Sequence, residues 1–122
     1  MKKILTVDDS TSMRQMVRAT LESAGYGVVE AVDGQEALDF ARKESVDLVI
    51  SDVNMPRMDG IRLVSELRGL SSYRLTPLLL LTTESSQEKK MEGKKAGATG
   101  WIVKPFNPTQ LLATLNRLLN AA

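Results

Sequence analysis

The sequence predicts an α/β fold in which helices cover both faces of a parallel sheet. Apolar runs of strand length alternate with segments of helical period along all 122 residues, an order typical of repeated β-α-β units. Runs such as Leu78-Leu79-Leu80-Leu81 lack polar alternation, which indicates strands that are buried on both faces. Charged residues follow directly after three of the runs, where open α/β sheets carry their binding sites.

The first predicted strand, 3–7, leads into a helix at about 12–24. Residues at helical spacing form its apolar face: Met13, Met16, Val17, Thr20, Leu21 and Ala24. Gly25 then ends the helix, because glycine adopts the left-handed conformation of a helix terminus without steric hindrance.

The second strand, 27–31, leads to a helix with Asp33 as N-cap and Glu36 three residues on. This helix faces the core with Ala37, Leu38 and Ala41. The third strand, 47–51, is followed by a loop and by a helix that starts after Asp59-Gly60. The third helix buries Leu63, Val64 and Leu67.

The fourth strand, 77–82, precedes a weak helix that opens at Ser85, with Glu88 completing a capping box. Its only sizeable apolar side chain is Met91, and Gly93 lowers its stability by about 1 kcal/mol relative to alanine. Four lysines make it basic: Lys89, Lys90, Lys94 and Lys95. The lysines form either a solvated face or part of a marginal element that shifts when a neighbouring site changes.

The fifth strand, 99–103, leads to a helix with Asn107 as N-cap, Pro108 at its first position and Gln110 at its third. The sequence contains no linker, internal repeat or low-complexity segment. We therefore expect a single domain over residues 1–122, without an effector domain.

Composition excludes several kinds of site. The chain has 16 basic and 15 acidic residues, a balance that gives no case for nucleic-acid binding. It lacks cysteine, which excludes disulfides and thiolate metal sites, and it lacks histidine, the usual general base. The apolar run after Met1-Lys2-Lys3 is too short for a signal peptide, and no run is long enough to span a membrane. We expect a cytoplasmic monomer.

Charged residues that follow the strands suggest a phosphoryl-transfer site. Asp8 and Asp9 follow the first strand, Asp52 the third and Lys104 the fifth, so all should meet at one edge of the sheet. The carboxylates are hard oxygen ligands suited to Mg²⁺, and without a cation they would repel one another. Asp52 ends a buried strand and is the best candidate for a nucleophilic carboxylate. Lys104 would pair with Asp52 at rest and with the phosphoryl group afterwards, and Thr82 offers a hydroxyl donor.

Each of these residues also has a structural interpretation. Asp8 and Asp9 could cap the first helix, but residues 10–12 already supply Ser-Thr-Ser for that purpose. Lys104 could be an ordinary surface lysine. We assign three other aspartates to structural roles: Asp33, Asp47 and Asp59.

Five short motifs occur in order along the chain. They are Val7-Asp8-Asp9-Ser10, Asp52-Val53-Asn54-Met55-Pro56-Arg57-Met58-Asp59-Gly60, Leu81-Thr82, Ala96-Gly97-Ala98 and Val103-Lys104-Pro105-Phe106. Together they resemble the response-regulator receiver domain, in particular its stand-alone chemotaxis CheY type, over nearly the whole chain. The resemblance implies a flavodoxin-like doubly wound sheet with five strands in order 2-1-3-4-5, five helices, and a cis Lys104-Pro105 bond.

The resemblance also implies residue roles. Asp52 would receive phosphate from a phosphohistidine of a partner kinase. Asp9 and Asp52 would ligate Mg²⁺ directly, Asp8 through water, and Asn54 through its backbone carbonyl. Thr82 and Lys104 would hold the phosphoryl group. Asn54 and Glu84, each two residues beyond a site residue, would control its lifetime.

The sequence departs from the family pattern at two positions. Thr83 stands where a smaller residue usually follows the phosphate-binding threonine, and Trp101 replaces the usual tyrosine or phenylalanine of the fifth strand. Trp101 is either the switch aromatic or a core residue. The predicted switch and output residues lie on the fourth helix and the fourth and fifth strands: Thr82, Lys89, Lys90, Lys94 and Trp101.

The function that we expect is a phosphorylation-switched binding module, not an enzyme, with intrinsic autodephosphorylation. Its partners would be a CheA-like histidine kinase, a downstream protein such as the flagellar motor switch, and a phosphatase. The alternatives are a stand-alone phosphorelay intermediate or phosphate sink, and a degenerate receiver that serves as a scaffold. A haloacid-dehalogenase-like phosphatase would need an acidic residue where Asn54 stands.

Overall fold

Five parallel strands run through the part of the chain that the computed structural model describes, residues 1–120. They are β1 (Lys3–Val7), β2 (Gly27–Ala31), β3 (Leu48–Ser51), β4 (Leu78–Thr82) and β5 (Gly100–Val103). Their order in the sheet is β2-β1-β3-β4-β5. The predicted α/β class and strand order are confirmed, and β3, β4 and β5 each begin one residue later than predicted.

The register of the sheet brings several strand ends level with one another. Val7 at the end of β1 lies beside Ala31 of β2 and Ser51 of β3. Thr82 at the end of β4 lies beside Val103 of β5. The residues that follow these strands therefore leave the sheet at one edge, its carboxyl-terminal edge.

Within residues 1–120, four α-helices and one 3₁₀ turn connect the strands, and a fifth α-helix follows β5. They are α1 (Thr11–Ser23), α2 (Gly34–Lys43), α3 (Gly60–Arg68), the 3₁₀ turn (Ser71–Tyr73), α4 (Gln87–Ala96) and α5 (Pro108–Asn120). The predicted N-caps Asp33, Asp59 and Asn107 each accept a hydrogen bond from the NH group three residues on. Asp47 is structural in a different way, because it accepts the NH of Lys3 at 2.7 Å and ties two strands together.

The start of α4 corrects the sequence prediction. The N-cap is Ser86 rather than Ser85: its hydroxyl accepts from the Lys89 NH at 3.2 Å. The Ser86 NH is in turn held by the carboxylate of Glu84 at 3.1 Å, so no capping box with Glu88 forms around Ser85. Two adjacent serines are equivalent as sequence signals, and the path of the preceding loop decides between them.

The core lies in two layers, one on each face of the sheet. Side chains of α2 and α3 cover one face together with strand residues such as Leu5, Val49 and Leu80. Side chains of α1 and α5 cover the other, together with strand residues such as Ile50 and Leu81. None of the helices within residues 1–120 has both the length and the apolar character needed to span a bilayer.

The apolar face of α1 is narrower than its periodicity predicts. Val17 and Leu21 are buried, and Met13 packs partly against them, as predicted. The periodicity also predicts Met16 and Ala24 on this face, but Met16 is 55% exposed and Ala24, the C-cap, is exposed too. The helix contacts the sheet along one line of residues, so a residue at the margin of the apolar stripe remains in solvent.

Arg68, the last residue of α3, joins three segments of the fold. Its guanidinium donates to the carbonyls of Tyr73 at 2.6 Å, Thr76 at 2.8 Å and Gly97 at 2.9 Å. Burial lowers the pKa of Arg68. Gly97 is the left-handed C-cap of α4, with φ of 110°. Arg68 therefore anchors the carboxyl end of α4 even though few residues of that helix are buried.

Candidate functional site

Three aspartates lie together at the carboxyl-terminal edge of the sheet. The NH of Asp8, just after β1, donates to the carbonyl of Ala31 at 3.2 Å. The NH of Asp52, just after β3, donates to the carbonyl of Val7 at 2.9 Å. One carboxylate oxygen from each of Asp8, Asp9 and Asp52 lies within 4.8 Å of the others. The predicted juxtaposition of the three side chains is present in the structure.

Lys104 brings a positive charge into this cluster. Its Nζ lies 2.8 Å from Asp8 Oδ2 and 3.4 Å from Asp52 Oδ2, and the three side chains are only 6–12% exposed. The predicted pairing with Asp52 is thus accompanied by a shorter contact with Asp8. The Lys104 NH donates to the carbonyl of Thr82 at 2.8 Å, which holds the lysine backbone beside the end of β4.

Backbone donors orient the two inner carboxylates. Asp8 Oδ1 accepts the NH of Ser10 at 2.9 Å, and Asp52 Oδ1 accepts the NH of Val53 at 2.7 Å. In both residues the other oxygen, Oδ2, is the one that contacts Lys104. The second oxygen of Asp52 therefore faces the centre of the cluster, where a reacting group would have to arrive.

The donor set suits a hard divalent cation. It consists of carboxylate oxygens, without the nitrogen or sulfur ligands that favour zinc or copper. Asp8 is buried, whereas Asp9 and the loop residue Asn54 are exposed, so the cluster opens to solvent on one side. Lys104 offsets only one of three carboxylate charges, which leaves a net negative site that an additional cation would neutralise. These residues fit Mg²⁺.

Thr82 completes the edge at the end of β4. The residue is fully buried, and its Oγ1 accepts a hydrogen bond from the NH of Glu84 at 3.1 Å. Because this contact uses the oxygen as an acceptor, the hydroxyl hydrogen remains able to donate to an incoming anion. Thr83, whose bulk was noted in the sequence, is exposed and lies outside this contact.

Comparison with known proteins places this constellation in a family. Residues 4–116 match the response regulator receiver domain. The chain belongs to this family. Receiver domains are the phosphoacceptor modules of two-component systems, so the phosphatase of haloacid-dehalogenase type is no longer an alternative.

Several relatives resemble this receiver domain over almost its full length. A chemotaxis protein CheY homolog from Campylobacter jejuni is 40% identical over 119 residues, covering 96% of this chain and 92% of the relative. The structure of the chemotaxis protein CheY4 from Vibrio cholerae is 60% identical, with a TM-score of 0.92 and coverage of 98% and 99%. The receiver domain of a sensor histidine kinase from Pseudomonas aeruginosa, 28% identical with a TM-score of 0.92 and 98% coverage of both chains, holds a magnesium ion in its active-site cleft. The chain spans about half, 48%, of the length of other relatives, which are described as transcriptional regulators or regulatory proteins.

The loop after β4 links the buried threonine of the receiver domain to Trp101. The Glu84 NH donates to Thr82, and the Glu84 carbonyl accepts the indole Nε1–H of Trp101 at 3.0 Å. The NH of Ser86 lowers the pKa of Glu84 by donating to its carboxylate. A single residue of this loop therefore contacts both the predicted phosphate ligand and the predicted switch aromatic.

Trp101 is half-buried and packs against α4 at Gly93. A Cβ atom added to Gly93 would lie 3.0 Å from Leu80 Cδ1 and 3.0 Å from the Trp101 ring. The glycine that weakens α4 thus lets the helix approach the indole, and Gly93 is the buried residue of this helix. Met91, its only sizeable apolar side chain, is 53% exposed. Few apolar contacts hold α4 in place, as its composition predicts.

Two of the predicted output lysines, Lys90 and Lys94, line a pocket beside Trp101. The pocket has a volume of about 270 Å³ and is lined by Lys90, Lys94, Ala98, Thr99, Gly100 and Trp101. Lys89 lies on the other side of α4, where its Nζ is 3.5 Å from Glu92. The structure therefore groups two of the three predicted lysines with the tryptophan and separates the third.

Sequence reasoning missed one residue that shapes the site, Gly60. A Cβ atom there would overlap the backbone oxygen of Asp52 and lie 3.1 Å from the hydroxyl of Ser51. Only glycine allows the first turn of α3 to lie against the end of β3. Gly60 directly follows the N-cap Asp59, a pattern that by itself predicts only the start of a helix.

Proposed function

We propose that this receiver domain is a phosphorylation-switched binding module in which Asp52 accepts a phosphoryl group from a histidine kinase. The observation that carries the proposal is the grouping of three carboxylates within 4.8 Å, with the ammonium of Lys104 beside the inward oxygen of Asp52. A carboxylate is a nucleophile in phosphoryl transfer, provided that the charge of the donor is neutralised.

In the proposed transfer, a carboxylate oxygen of Asp52 attacks the phosphorus of a phosphohistidine. The P–N bond breaks, and its electron pair leaves with the histidine nitrogen. Lys104 exchanges its contact with Asp52 for one with a phosphoryl oxygen. Asp8, Asp9, Asp52 and the Asn54 carbonyl would hold Mg²⁺, which supplies positive charge to the phosphoryl oxygens. Support for this cofactor comes from the oxygen donor set and from the magnesium-bound relative.

Phosphorylation would reach the surface through Thr82. When its hydroxyl turns to the phosphoryl group, the hydrogen bond from the Glu84 NH is strained or lost. The Glu84 carbonyl then moves relative to the Trp101 indole that donates to it. Because α4 is held by few apolar contacts, the face formed by α4, β5 and α5 can change with little cost in packing. We propose this face as the binding surface for the downstream protein.

Trp101, the only tryptophan in the sequence, should report this change. Adding a small phosphodonor such as acetyl phosphate, together with Mg²⁺, is expected to alter its fluorescence beyond the effect of Mg²⁺ alone. The physical reason is that the indole loses or lengthens its hydrogen bond to Glu84. Affinity for a partner should rise by about 5- to 150-fold, the coupling of about 1–3 kcal/mol that is typical of two-state proteins.

The control for this experiment is Asp52→Asn, which should show only the effect of Mg²⁺. If intact mass shows phosphorylated Asp52 but neither the Trp101 emission nor the partner affinity changes, this face is not the output surface. A phosphorylated protein that passes its phosphoryl group to a second histidine protein, without gaining affinity for a target, would instead support a phosphorelay intermediate or phosphate sink.

The proposed pathway is chemotaxis, in the cytoplasm. Chemotaxis relatives match this receiver domain over 92–99% of their own length, which supports a CheA-like histidine kinase as donor and the flagellar motor switch as target. A dedicated phosphatase would shorten the signal. Binding of the phosphorylated domain to purified motor-switch protein, compared with the Asp52→Asn variant, tests the target directly.

We propose that Asn54 and Glu84 set the lifetime of the aspartyl phosphate, which the domain hydrolyses itself. Asn54 is exposed in the loop after Asp52, and Glu84 is partly exposed in the loop after Thr82. Hydrolysis needs in-line attack by water, so side chains beside the approach of water control its rate. Replacing both by alanine should change the decay rate several-fold, about 1 kcal/mol of barrier, as followed by loss of the phosphoryl group in intact mass.

The matched control for the lifetime experiment is Asp39→Ala on the exposed side of α2, which should decay like the parent. Phosphorylation itself should persist in the Asn54/Glu84 double variant, because the proposed metal contact of Asn54 is its backbone carbonyl. An unchanged decay rate in that variant would remove both residues from lifetime control.

A further inference from the structure

We propose that the ion pair between Arg57 and Asp33 is a brace that positions the loop over the phosphorylation site, which makes both residues positioning residues for Mg²⁺ binding and phosphorylation. The loop consists of residues 53–59, between β3 and α3, and contains Asn54. This inference rests on the proposed phosphorylation of Asp52 and concerns residues outside the cluster itself.

The ion pair has the two-pronged geometry of a strong arginine–carboxylate contact. Arg57 Nε lies 2.8 Å from Asp33 Oδ2, and Arg57 Nη2 lies 3.1 Å from Asp33 Oδ1. The Asp33 side chain is 8% exposed, and it also caps α2 by accepting the NH of Glu36 at 2.9 Å. Arg57 lowers the pKa of Asp33, so the carboxylate stays charged at neutral pH. The buried Asp33 carboxylate, held at the helix cap, thus fixes the long side chain of Arg57 from the loop.

The backbone of Arg57 is held in a disfavoured conformation. Its φ is 66°, and within residues 1–120 it is the residue other than glycine with positive φ. A side chain disfavours this left-handed region, so surrounding contacts must hold the residue there. The ion pair with Asp33 is such a contact. Non-glycine residues in this conformation cluster at sites where the loop geometry matters for function.

A second contact places the loop against the turn that contains Asp33 and Gly34. The Gly34 NH donates to the carbonyl of Met58 at 3.2 Å, and a Cβ atom on Gly34 would lie 2.5 Å from that oxygen. At the other end of the loop, the Gly60 NH donates to the carbonyl of Val53 at 2.9 Å. The loop is therefore fixed at both ends, and Asn54 lies between these anchors.

The turn that holds the loop also supports the acidic pair. Asp8 donates its NH to Ala31 at 3.2 Å, two residues before Asp33. The segment 31–34 therefore contacts both halves of the site: the residue after β1 and the loop after β3. Loss of the Arg57–Asp33 pair should let the loop, with its Asn54 carbonyl, move relative to Asp8 and Asp52.

The test measures Mg²⁺ binding directly in three variants. Asp33→Asn keeps an oxygen for the helix cap but removes the charge, Arg57→Gly suits the positive φ but removes the pair, and Arg57→Lys keeps the charge. Titration calorimetry of the unphosphorylated protein with Mg²⁺ should show about tenfold weaker binding for Asp33→Asn and Arg57→Gly, the usual scale for residues that orient ligands. Arg57→Lys should recover part of the affinity.

A second readout separates positioning from a general structural role. The rate of phosphorylation by acetyl phosphate, measured against Mg²⁺ concentration, should reach half its maximum at about tenfold higher Mg²⁺ in the same two variants. Circular dichroism and thermal unfolding should show a folded protein in each case. Arg62→Gln, which breaks the exposed ion pair of Arg62 with Glu66 on α3, is the matched control and should retain the parent Mg²⁺ affinity.

The outcomes distinguish the brace from the proposed function. The brace alone would be overturned if Arg57→Gly and Asp33→Asn both kept the parent's Mg²⁺ affinity and the parent's Mg²⁺ concentration for half-maximal phosphorylation rate, while the parent is phosphorylated normally. A parent protein that neither binds Mg²⁺ nor becomes phosphorylated would overturn both the brace and the proposed function. Weaker binding in the two variants and not in Arg62→Gln would establish the brace.

Discussion

Replacing Asp52 with asparagine is expected to abolish phosphorylation of this receiver domain. The amide lacks the carboxylate oxygen that would attack phosphorus, and the Oδ2 atom it replaces is the one that faces Lys104 at 3.4 Å. After incubation with Mg²⁺ and acetyl phosphate, intact mass should show one labile phosphoryl group on the parent protein and none on Asp52→Asn. The group should also be absent when EDTA removes the cation, because the acidic cluster would then repel the anionic donor.

Asp59→Asn is the matched control for this experiment. Asp59 is likewise an aspartate of the segment between β3 and α3, but it is exposed and caps α3 by accepting the NH of Arg62 at 2.8 Å. Asparagine is an equally good N-cap, so this variant should be phosphorylated like the parent. If Asp52→Asn were phosphorylated as much as the parent, the phosphoryl group would belong to another residue and the proposed mechanism would be wrong.

Replacing Gly60 with alanine is expected to have the largest effect on stability. The added methyl group would overlap the backbone oxygen of Asp52, and a backbone atom cannot rotate away as a side chain can. Helix α3 would have to shift away from the end of β3, which should lower the free energy of unfolding by about 3 kcal/mol. Urea denaturation followed by circular dichroism measures this loss as a lower midpoint.

Gly27→Ala provides the comparison for Gly60→Ala. There a Cβ atom would lie 3.3 Å from the sulfur of Met1, a flexible and exposed side chain that can move aside. The free energy of unfolding should therefore change by no more than about 0.5 kcal/mol. Equal midpoints for the two variants would mean that α3 does not approach Asp52 closely. Gly60→Ala should also reduce phosphorylation, because the displaced backbone carries the acceptor.

Local signals identified most of the framework correctly. Asp33, Asp59 and Asn107 were predicted as helix caps and make the expected hydrogen bonds, since a cap depends only on residues three positions apart. The prediction was wrong for Ser85, because the neighbouring Ser86 offers the same hydroxyl and the loop from Glu84 selects it. It was also too broad for Met16, whose position at the edge of a helical stripe leaves it in solvent.

The contacts that give the site its geometry join residues far apart in the chain. Lys104 lies 2.8 Å from Asp8 although 96 positions separate them, and the sequence predicted a partner for it only in Asp52. The pairing of Arg57 with Asp33 spans 24 positions, and nothing in the two short segments signals it. The close approach of Gly93 to Trp101 is a third such contact. In the sequence this glycine only lowers the stability of α4, but in the structure a glycine is needed there because a side chain would crowd the indole.

The sequence by itself determined the class of the fold, the order of its elements and the identity of the clustered acids. The class and order depend on apolar periodicity, which is a property of short segments, and the clustered acids follow from the general rule that the strands of a parallel sheet end at one edge. Only the tertiary structure decided which carboxylate Lys104 approaches most closely, how the loop after β3 is braced, and how Thr82 connects to Trp101 through Glu84. Such contacts form between segments whose relative placement is set by strand register and core packing, so no local pattern encodes them.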